Sequence, residues 1–115
     1  MKIEFNNQKN TKLQLVDKHK SIFVEIESIT YLHCDGYITS IHLANDETVV
    51  VSRLLKHFEE ELAVVDFQRV NRSTLVNLKH VNSIYTENGH KMIKVKDTII
   101  KVSRRKSFLF TPSNN

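Results

Sequence analysis

The chain has 115 residues, of which 40% are hydrophobic and 26% are charged, a composition typical of one globular domain. Two glycines and one proline exclude low-complexity and collagen-like chains, and no apolar run approaches the ~18 residues of a membrane-spanning helix. Cys34 is the single cysteine and has no partner for an internal disulfide, while the first twenty residues lack the apolar segment of a secretory signal. These features predict a cytoplasmic domain without a membrane partner.

The charge is divided unevenly along the chain. Residues 1–66 contain 7 Lys and Arg against 11 Asp and Glu, whereas residues 67–115 contain 10 against 2. Such asymmetry favours a C-terminal half that faces a polyanion, either nucleic acid or an anionic membrane. A basic face that meets only solvent explains the composition equally well.

Most of the first half has the two-residue period of half-buried β-strands. Residues 1–10 have no period and are predicted to be a tail or linker. Strands are then expected at 12–15 and 22–26, followed by a pair at 29–34 and 37–43 and a further strand at 47–51. The Asp35-Gly36 dipeptide between the paired strands is a hairpin signal because both residue types tolerate positive φ.

Residues 52–63 have the only long helical pattern. Leu54, Leu55, Phe58 and Leu62 share one stripe, which predicts an amphipathic helix that packs on a sheet. Ser52 is the expected N-cap because its hydroxyl can accept a hydrogen bond from a first-turn N–H group.

The chain then returns to short strands, predicted at 67–69, 74–76, 83–87, 93–96 and 100–102. Asn88-Gly89 is a second hairpin signal, and Asp97-Thr98 is the expected connection between the last two strands. Ser103 is predicted to cap a short helical turn that ends at Phe108, before a tail at 111–115. The pattern as a whole indicates a mainly β fold, a sandwich or layered sheets, with one embedded amphipathic helix and a short C-terminal helical turn.

Signals for catalysis and metal binding are weak. No nucleophile-elbow, P-loop, dinucleotide-binding or zinc-protease motif occurs. A thiolate nucleophile needs a neighbouring base, but His33 and Cys34 should point to opposite faces of one strand, so Cys34 is interpreted as a small core or half-buried residue. The six histidines are scattered and no second cysteine completes a zinc site. We therefore expect no enzyme activity, no metal and no cofactor.

The basic end of the chain carries a stronger signal. Arg104, Arg105 and Lys106 fall in the first turn after Ser103, where each cation opposes the helix dipole by about 0.3–1 kcal/mol. A bound phosphate would reverse that penalty, whereas a frayed, solvated end is the alternative. Lys94, Lys96 and Lys101 alternate with apolar residues, and they are interpreted as part of an outward sheet face.

Residues 67–77 are rich in side chains that bind nucleic acids. Arg72 can donate two hydrogen bonds to guanine O6 and N7, and Ser73 can contact a phosphate. A loop that satisfies its own backbone through Asn and Ser side chains has the same composition. The segment alone does not decide between these interpretations.

Four blocks of sequence occur in a characteristic order: ITYL with DGY at 29–37, LLKHFEEEL at 54–62, FQRVNRSTLVNL at 67–78 and VSRR at 102–105. Together they resemble the LytTR family of bacterial DNA-binding domains, which are the output modules of many response regulators in two-component systems. The third block is similar to the family pattern F-x-R-x-H-R-S-x-L-V-N, with Asn71 where the family often has His. The resemblance covers residues 11–110.

The resemblance implies an elongated, mostly antiparallel β fold that inserts loops, rather than a recognition helix, into successive DNA major grooves. The site residues that it implies fall in three loops: Tyr37; Arg72 and Ser73; and Arg104, Arg105 and Lys106. The arginines at 72 and 104 are the expected base readers, and the serine at 73 with the two remaining cations is expected to bind phosphate.

The expected function is therefore sequence-specific binding of double-stranded DNA at promoter repeats by a bacterial transcriptional regulator. The resemblance also implies an upstream receiver or sensor domain, which this sequence does not contain, and paired binding on DNA as a dimer. The alternative is a protein-interaction β module whose edge strand pairs with a partner and whose polyanion affinity is non-specific.

Overall fold

The computed structural model describes residues 11–17, 19–63 and 65–110. The tails predicted at 1–10 and 111–115 lie outside these residues. The described chain forms three antiparallel sheets within dimensions of 45 × 34 × 25 Å, which confirms the predicted mainly β, elongated, multi-sheet fold.

The described residues form ten strands, one α-helix and three 3₁₀ helices. The strands are β1 (Lys12–Asp17), β2 (Lys20–Glu25), β3 (Ile29–Asp35), β4 (Ile38–Leu43), β5 (Thr48–Val51), β6 (Phe67–Asn71), β7 (Thr74–Asn77), β8 (Val81–Glu87), β9 (His90–Val95) and β10 (Thr98–Lys101). The α-helix is α1 (Leu55–Glu61), and the 3₁₀ helices are Ile26–Ser28, Leu78–His80 and Arg104–Phe110.

The central sheet has five strands in the order β5-β4-β3-β7-β6, flanked by the three-stranded sheet β10-β9-β8 and the hairpin β1-β2. Both predicted hairpins form. In the β8–β9 turn, Asn88 and Gly89 both have positive φ (52° and 79°), as a type I′ turn requires. In the β3–β4 turn Asp35 pairs with Ile38, so the central pair is Gly36-Tyr37 rather than the expected Asp35-Gly36. Gly36, at φ 64°, supplies the positive φ at the first central position.

Two hydrophobic cores lie on opposite faces of the five-stranded sheet. Successive residues of β7, Leu75 and Val76, belong to different cores, because neighbouring side chains of a strand point to opposite faces. The larger core joins the sheet to α1 and the β1–β2 hairpin, and the smaller core joins it to the three-stranded sheet and the C-terminal 3₁₀ helix. The five-stranded sheet is therefore the shared wall between both cores.

The helix begins at Leu55, three residues later than predicted, and Ser52 is not its N-cap. The residue that precedes the helix is Leu54, which is extended (φ −70°, ψ 143°) and makes no capping side-chain bond. The Thr39 hydroxyl donates to the Arg53 carbonyl oxygen (2.5 Å), and the Arg53 guanidinium lies 4.6 Å over the Phe58 ring. The bond from Thr39 is the tertiary contact that restrains the segment before the helix, where Leu54 is extended.

The turn between β9 and β10 also differs from the expectation. Val95 pairs with Thr98, so the turn consists of Lys96-Asp97 rather than Asp97-Thr98, and Lys96 has φ 53°. The prediction that Lys96 lies on an outward strand face is therefore wrong. Its ammonium group donates to the Ala44 carbonyl and to Asp46 Oδ1 (2.9 Å), which ties this turn to the β4–β5 turn.

Candidate nucleic-acid interface

An open groove of about 930 Å³ lies between the exposed part of the five-stranded sheet and β10. One wall is formed by β3, β4 and the β6–β7 turn, and the other by β10 and the segment that follows it. The lining side chains are Tyr31, His33, His42, Glu59, Arg69, Asn71, Arg72, Ser73, Thr74, Thr98, Ile99, Ile100, Lys101, Ser103, Arg105 and Lys106.

The groove is strongly cationic. The lining contains five cations, of which Arg69 is paired with Glu59, the only carboxylate in the lining, at 3.0 Å. The other four are Arg72, Lys101, Arg105 and Lys106, and no carboxylate of the described residues forms an ion pair with them. Their charge therefore remains available to an anion.

The β6–β7 turn presents Arg72 from a tightly bonded backbone. Asn71 Oδ1 accepts from the backbone N–H of Ser73 (2.9 Å) and from its hydroxyl (3.3 Å). Arg69 donates to the carbonyl of Arg72, and Cys34 donates its backbone N–H to the carbonyl of Ser73 (2.9 Å). The side chain of Arg72 is exposed, so a fixed backbone carries a free guanidinium.

The opposite wall is anchored where β10 ends. Ser103 donates its N–H to the carbonyl of Val70 on β6 (2.9 Å), and Lys106 donates its N–H to the carbonyl of Ser103 (3.0 Å). The predicted helical turn thus begins after Ser103, as a 3₁₀ rather than an α-helix, and continues to Phe110, which is buried in the smaller core.

Four of the six predicted site residues share this groove: Arg72, Ser73, Arg105 and Lys106. Arg104 is exposed but is not part of the groove lining. Tyr37 lies in the β3–β4 turn with 78% of its side chain exposed, also outside the lining. The predicted residues therefore form one cluster and two separate exposed positions.

Two histidines on the sheet wall, His33 and His42, were not predicted to be binding-site residues from the sequence. His42 stacks on Tyr31 with ring centroids 4.2 Å apart and an interplanar angle of 15°. Burial, and secondarily the nearby His33, lower the pKa of His42. His33 lies on the groove face while Cys34 packs against the larger core, which confirms that the two side chains point apart.

Three further lining residues were also missed as site residues: Arg69, Asn71 and Lys101. Alternation made Lys101 indistinguishable from any outward strand lysine. The bulge between Arg69 and Asn71 changes which side chains face the groove, and no simple period reveals a bulge. The Arg-x-Asn-Arg-Ser run itself was the available signal for the first two.

No group of three or more potential metal ligands occurs among residues 11–17, 19–63 and 65–110. In the same part of the chain, none of the helices is both long and apolar enough to cross a membrane.

A groove lined by an excess of cations is the electrostatic feature expected of a polyanion-binding domain. The profile of the LytTr DNA-binding domain matches residues 3–111, and this chain belongs to the LytTR family. It is thus a DNA-binding domain, and the family is a binding module rather than a catalytic fold.

One solved structure that matches is the LytTr DNA-binding domain of a Bacillus cereus protein described as a methyl-accepting/DNA response regulator. It superposes with a TM-score of 0.72 at 22% sequence identity, over 88% of this chain and 94% of that chain. The likeness shows a shared fold. A search of curated proteins gave no match.

Proposed function

We propose that this domain recognises specific sequences in double-stranded DNA and regulates transcription from bacterial promoters as the output domain of a response regulator. The observation that carries the proposal is the groove. Arg72, Arg105 and Lys106 converge there, and both of its walls carry an excess of positive charge. Guanidinium groups suit both phosphate oxygens and the guanine edge in the major groove.

Loops rather than a helix approach the DNA in this proposal. The single α-helix of the described residues, α1, contributes only Glu59 to the groove lining, where this carboxylate is paired with Arg69, so no cation of the helix faces the groove. The longest dimension of the domain, 45 Å, exceeds one helical turn of DNA, about 34–36 Å. One copy is therefore long enough for contacts in successive major grooves, although the turns of Tyr37 and Arg72 lie together at one end of the sheet, where the Cys34 N–H bonds to the Ser73 carbonyl.

The proposed roles follow the positions of these residues in the family pattern. Arg72 and Arg104 are exposed and read bases, whereas Ser73, Arg105 and Lys106 contact phosphates. Phosphate contacts set the register and the affinity, and base contacts set the sequence preference. Tyr37 contributes from the β3–β4 turn.

Selection from a randomised DNA pool tests the proposal directly. The domain is bound to random duplexes at near-physiological salt, and the retained duplexes are sequenced. A recurring motif is expected, as a spaced repeat if two copies bind together. A pool without enrichment, bound with strong salt sensitivity, would contradict sequence-specific recognition.

Three substitutions distinguish base readout from non-specific electrostatic attraction. Arg72→Ala and Arg104→Ala are each expected to weaken binding to the selected motif by about 1–3 kcal/mol and to relax the preference at one base position. Lys106→Ala should weaken binding to all duplexes by a similar factor. If both arginine variants lost affinity equally on every duplex, the assignment of base readout would be wrong.

The edge strand β8 favours a second candidate, a protein-interaction module. Ile84 and Tyr85 on this strand are 46% and 39% exposed, and β8 lies at the edge of its sheet, where a partner strand can pair. Weak, sequence-independent DNA affinity in the selection would favour this candidate.

A further inference from the structure

Asn71 occupies the junction between the two walls of the groove. It is the last residue of β6, next to the bulge in the β6–β7 pairing, and its side chain is half-buried. Its Nδ2 donates to the carbonyl of Lys101 on β10 at 2.8 Å. Its Oδ1 accepts from the N–H and the hydroxyl of Ser73.

These bonds perform two separate structural tasks. The bonds to Ser73 close an Asx turn, in which the Asn side chain fixes the backbone two residues further on. The bond to Lys101 spans thirty residues of sequence and joins the five-stranded sheet to the three-stranded sheet. One side chain therefore contributes both to the conformation of the Arg72 turn, beside the bonds from Arg69 and Cys34, and to the position of that turn relative to the basic wall, beside the bond from Ser103 to Val70.

The same bonds leave Asn71 poorly suited to base contact. An Asn that reads adenine needs its carbonyl oxygen and its amide group together, but Oδ1 has two lone pairs and both are engaged by Ser73. Arg72 has the opposite arrangement, since its carbonyl is held by Arg69 while its guanidinium is exposed.

We propose that Asn71 is a positioning residue for DNA recognition, which acts through Arg72 by clamping the β6–β7 turn to β10. The inference rests on the proposed function, because it assumes that Arg72 reads a base. A bidentate contact depends on direction, so a turn that is free to swing loses discrimination even though every cation is retained.

Two substitutions divide the tasks of Asn71. Asn71→Ala removes the turn bond and the clamp. Asn71→Ser keeps a hydroxyl that can accept from the Ser73 N–H but is too short to reach the Lys101 carbonyl. Asn45→Ala is the matched control, because Asn45 closes an equivalent turn through the N–H of Glu47 (2.9 Å) away from the groove.

The measurement is the ratio of affinities for a selected motif and for an unrelated duplex. Asn71→Ala is expected to lower this ratio by about 5- to 150-fold, the range that one bidentate contact supplies, with little change in affinity for the unrelated duplex. Asn71→Ser should lose most of the same discrimination, and Asn45→Ala should lose none. In the Arg72→Ala background, Asn71→Ala should cause no further loss. Additive losses would show that Asn71 acts independently of Arg72 and would overturn the proposal.

A second readout works without DNA. Amide order parameters from NMR should fall at Arg72 and Ser73 from about 0.85 to below about 0.6 in Asn71→Ala, while thermal unfolding reports whether the domain remains folded. Unchanged order parameters in a folded variant would overturn the positioning role whatever the DNA results. A wild-type domain with an ordered turn but no sequence preference would instead refute the proposed function.

Discussion

The salt dependence of DNA affinity provides a quantitative test of the groove. Arg72, Lys101, Arg105 and Lys106 line it without carboxylate partners among the described residues, whereas Arg69 is committed to Glu59. Each phosphate that is neutralised contributes about −0.9 to the slope of log K against log salt. Arg72 is assigned to a base, so Lys101, Arg105 and Lys106 are the three expected phosphate contacts; they predict a slope of about −2.7, and binding weakens roughly 40-fold for a fourfold rise in salt.

The Lys106→Ala variant is expected to change this slope by one contact. The predicted slope becomes about −1.8, and the same fourfold rise in salt weakens binding only about 12-fold. Fluorescence anisotropy with a labelled duplex at several salt concentrations measures both slopes. Lys56→Ala is the control, because Lys56 lies exposed on α1 outside the groove lining and its loss removes the same net charge.

Either of two results would refute the reasoning. If the slope of Lys106→Ala equalled that of the wild type, Lys106 would not be in contact with a phosphate. If Lys56→Ala flattened the slope as much as Lys106→Ala did, net charge rather than the groove would govern the affinity.

Two further predictions concern stability and pH. Asn77 is 3% exposed and donates to the Ile29 carbonyl at 3.0 Å. In urea titrations, Asn77→Ala should lower the free energy of unfolding by about 1–3 kcal/mol, whereas Asn45→Ala, at an exposed position, should lower it by about 0.5 kcal/mol or less. Equal losses in the two variants would contradict a role for burial. His42 has a pKa below the ordinary ~6.5. As the pH falls, this histidine is therefore protonated in the unfolded chain before it is protonated in the folded domain. The free energy of unfolding is highest above about pH 7 and decreases below it. His42→Phe, which keeps a ring against Tyr31, should show a smaller drop in Tm between about pH 7.5 and 5.5; an identical drop would assign the titration to other groups.

Much of the fold could be predicted because its signals are local. The Asn88-Gly89 turn and the alternation of Ile93 and Val95 depend on neighbours in sequence, and both are present in the structure. The start of the helix could not be predicted, since Arg53 is held by Thr39 and packs over Phe58. Contacts between distant residues override a local capping preference.

The sequence predicted several residues of the candidate site, but it did not predict how they come together in space. Arg72 and Arg105 were identified from a resemblance and from charge, but their convergence with Lys101 depends on how the two sheets meet. That meeting is set by bonds such as the one from Asn71 to Lys101. Tyr37 and Arg104 remain predicted contacts outside the groove lining.

The two cores have a consequence for the order in which the domain comes apart. The three-stranded sheet and the C-terminal 3₁₀ helix bury their apolar side chains in the smaller core and not in the larger one, so local opening there can leave the larger core intact. Since this sheet carries the basic wall, we expect the groove to open before the domain melts, and hydrogen exchange to be faster in β10 than in β3. A ligand that spans both walls binds only the closed form and therefore holds the smaller core shut. Bound DNA is therefore expected to stabilise the packing of the three-stranded sheet against the rest of the domain.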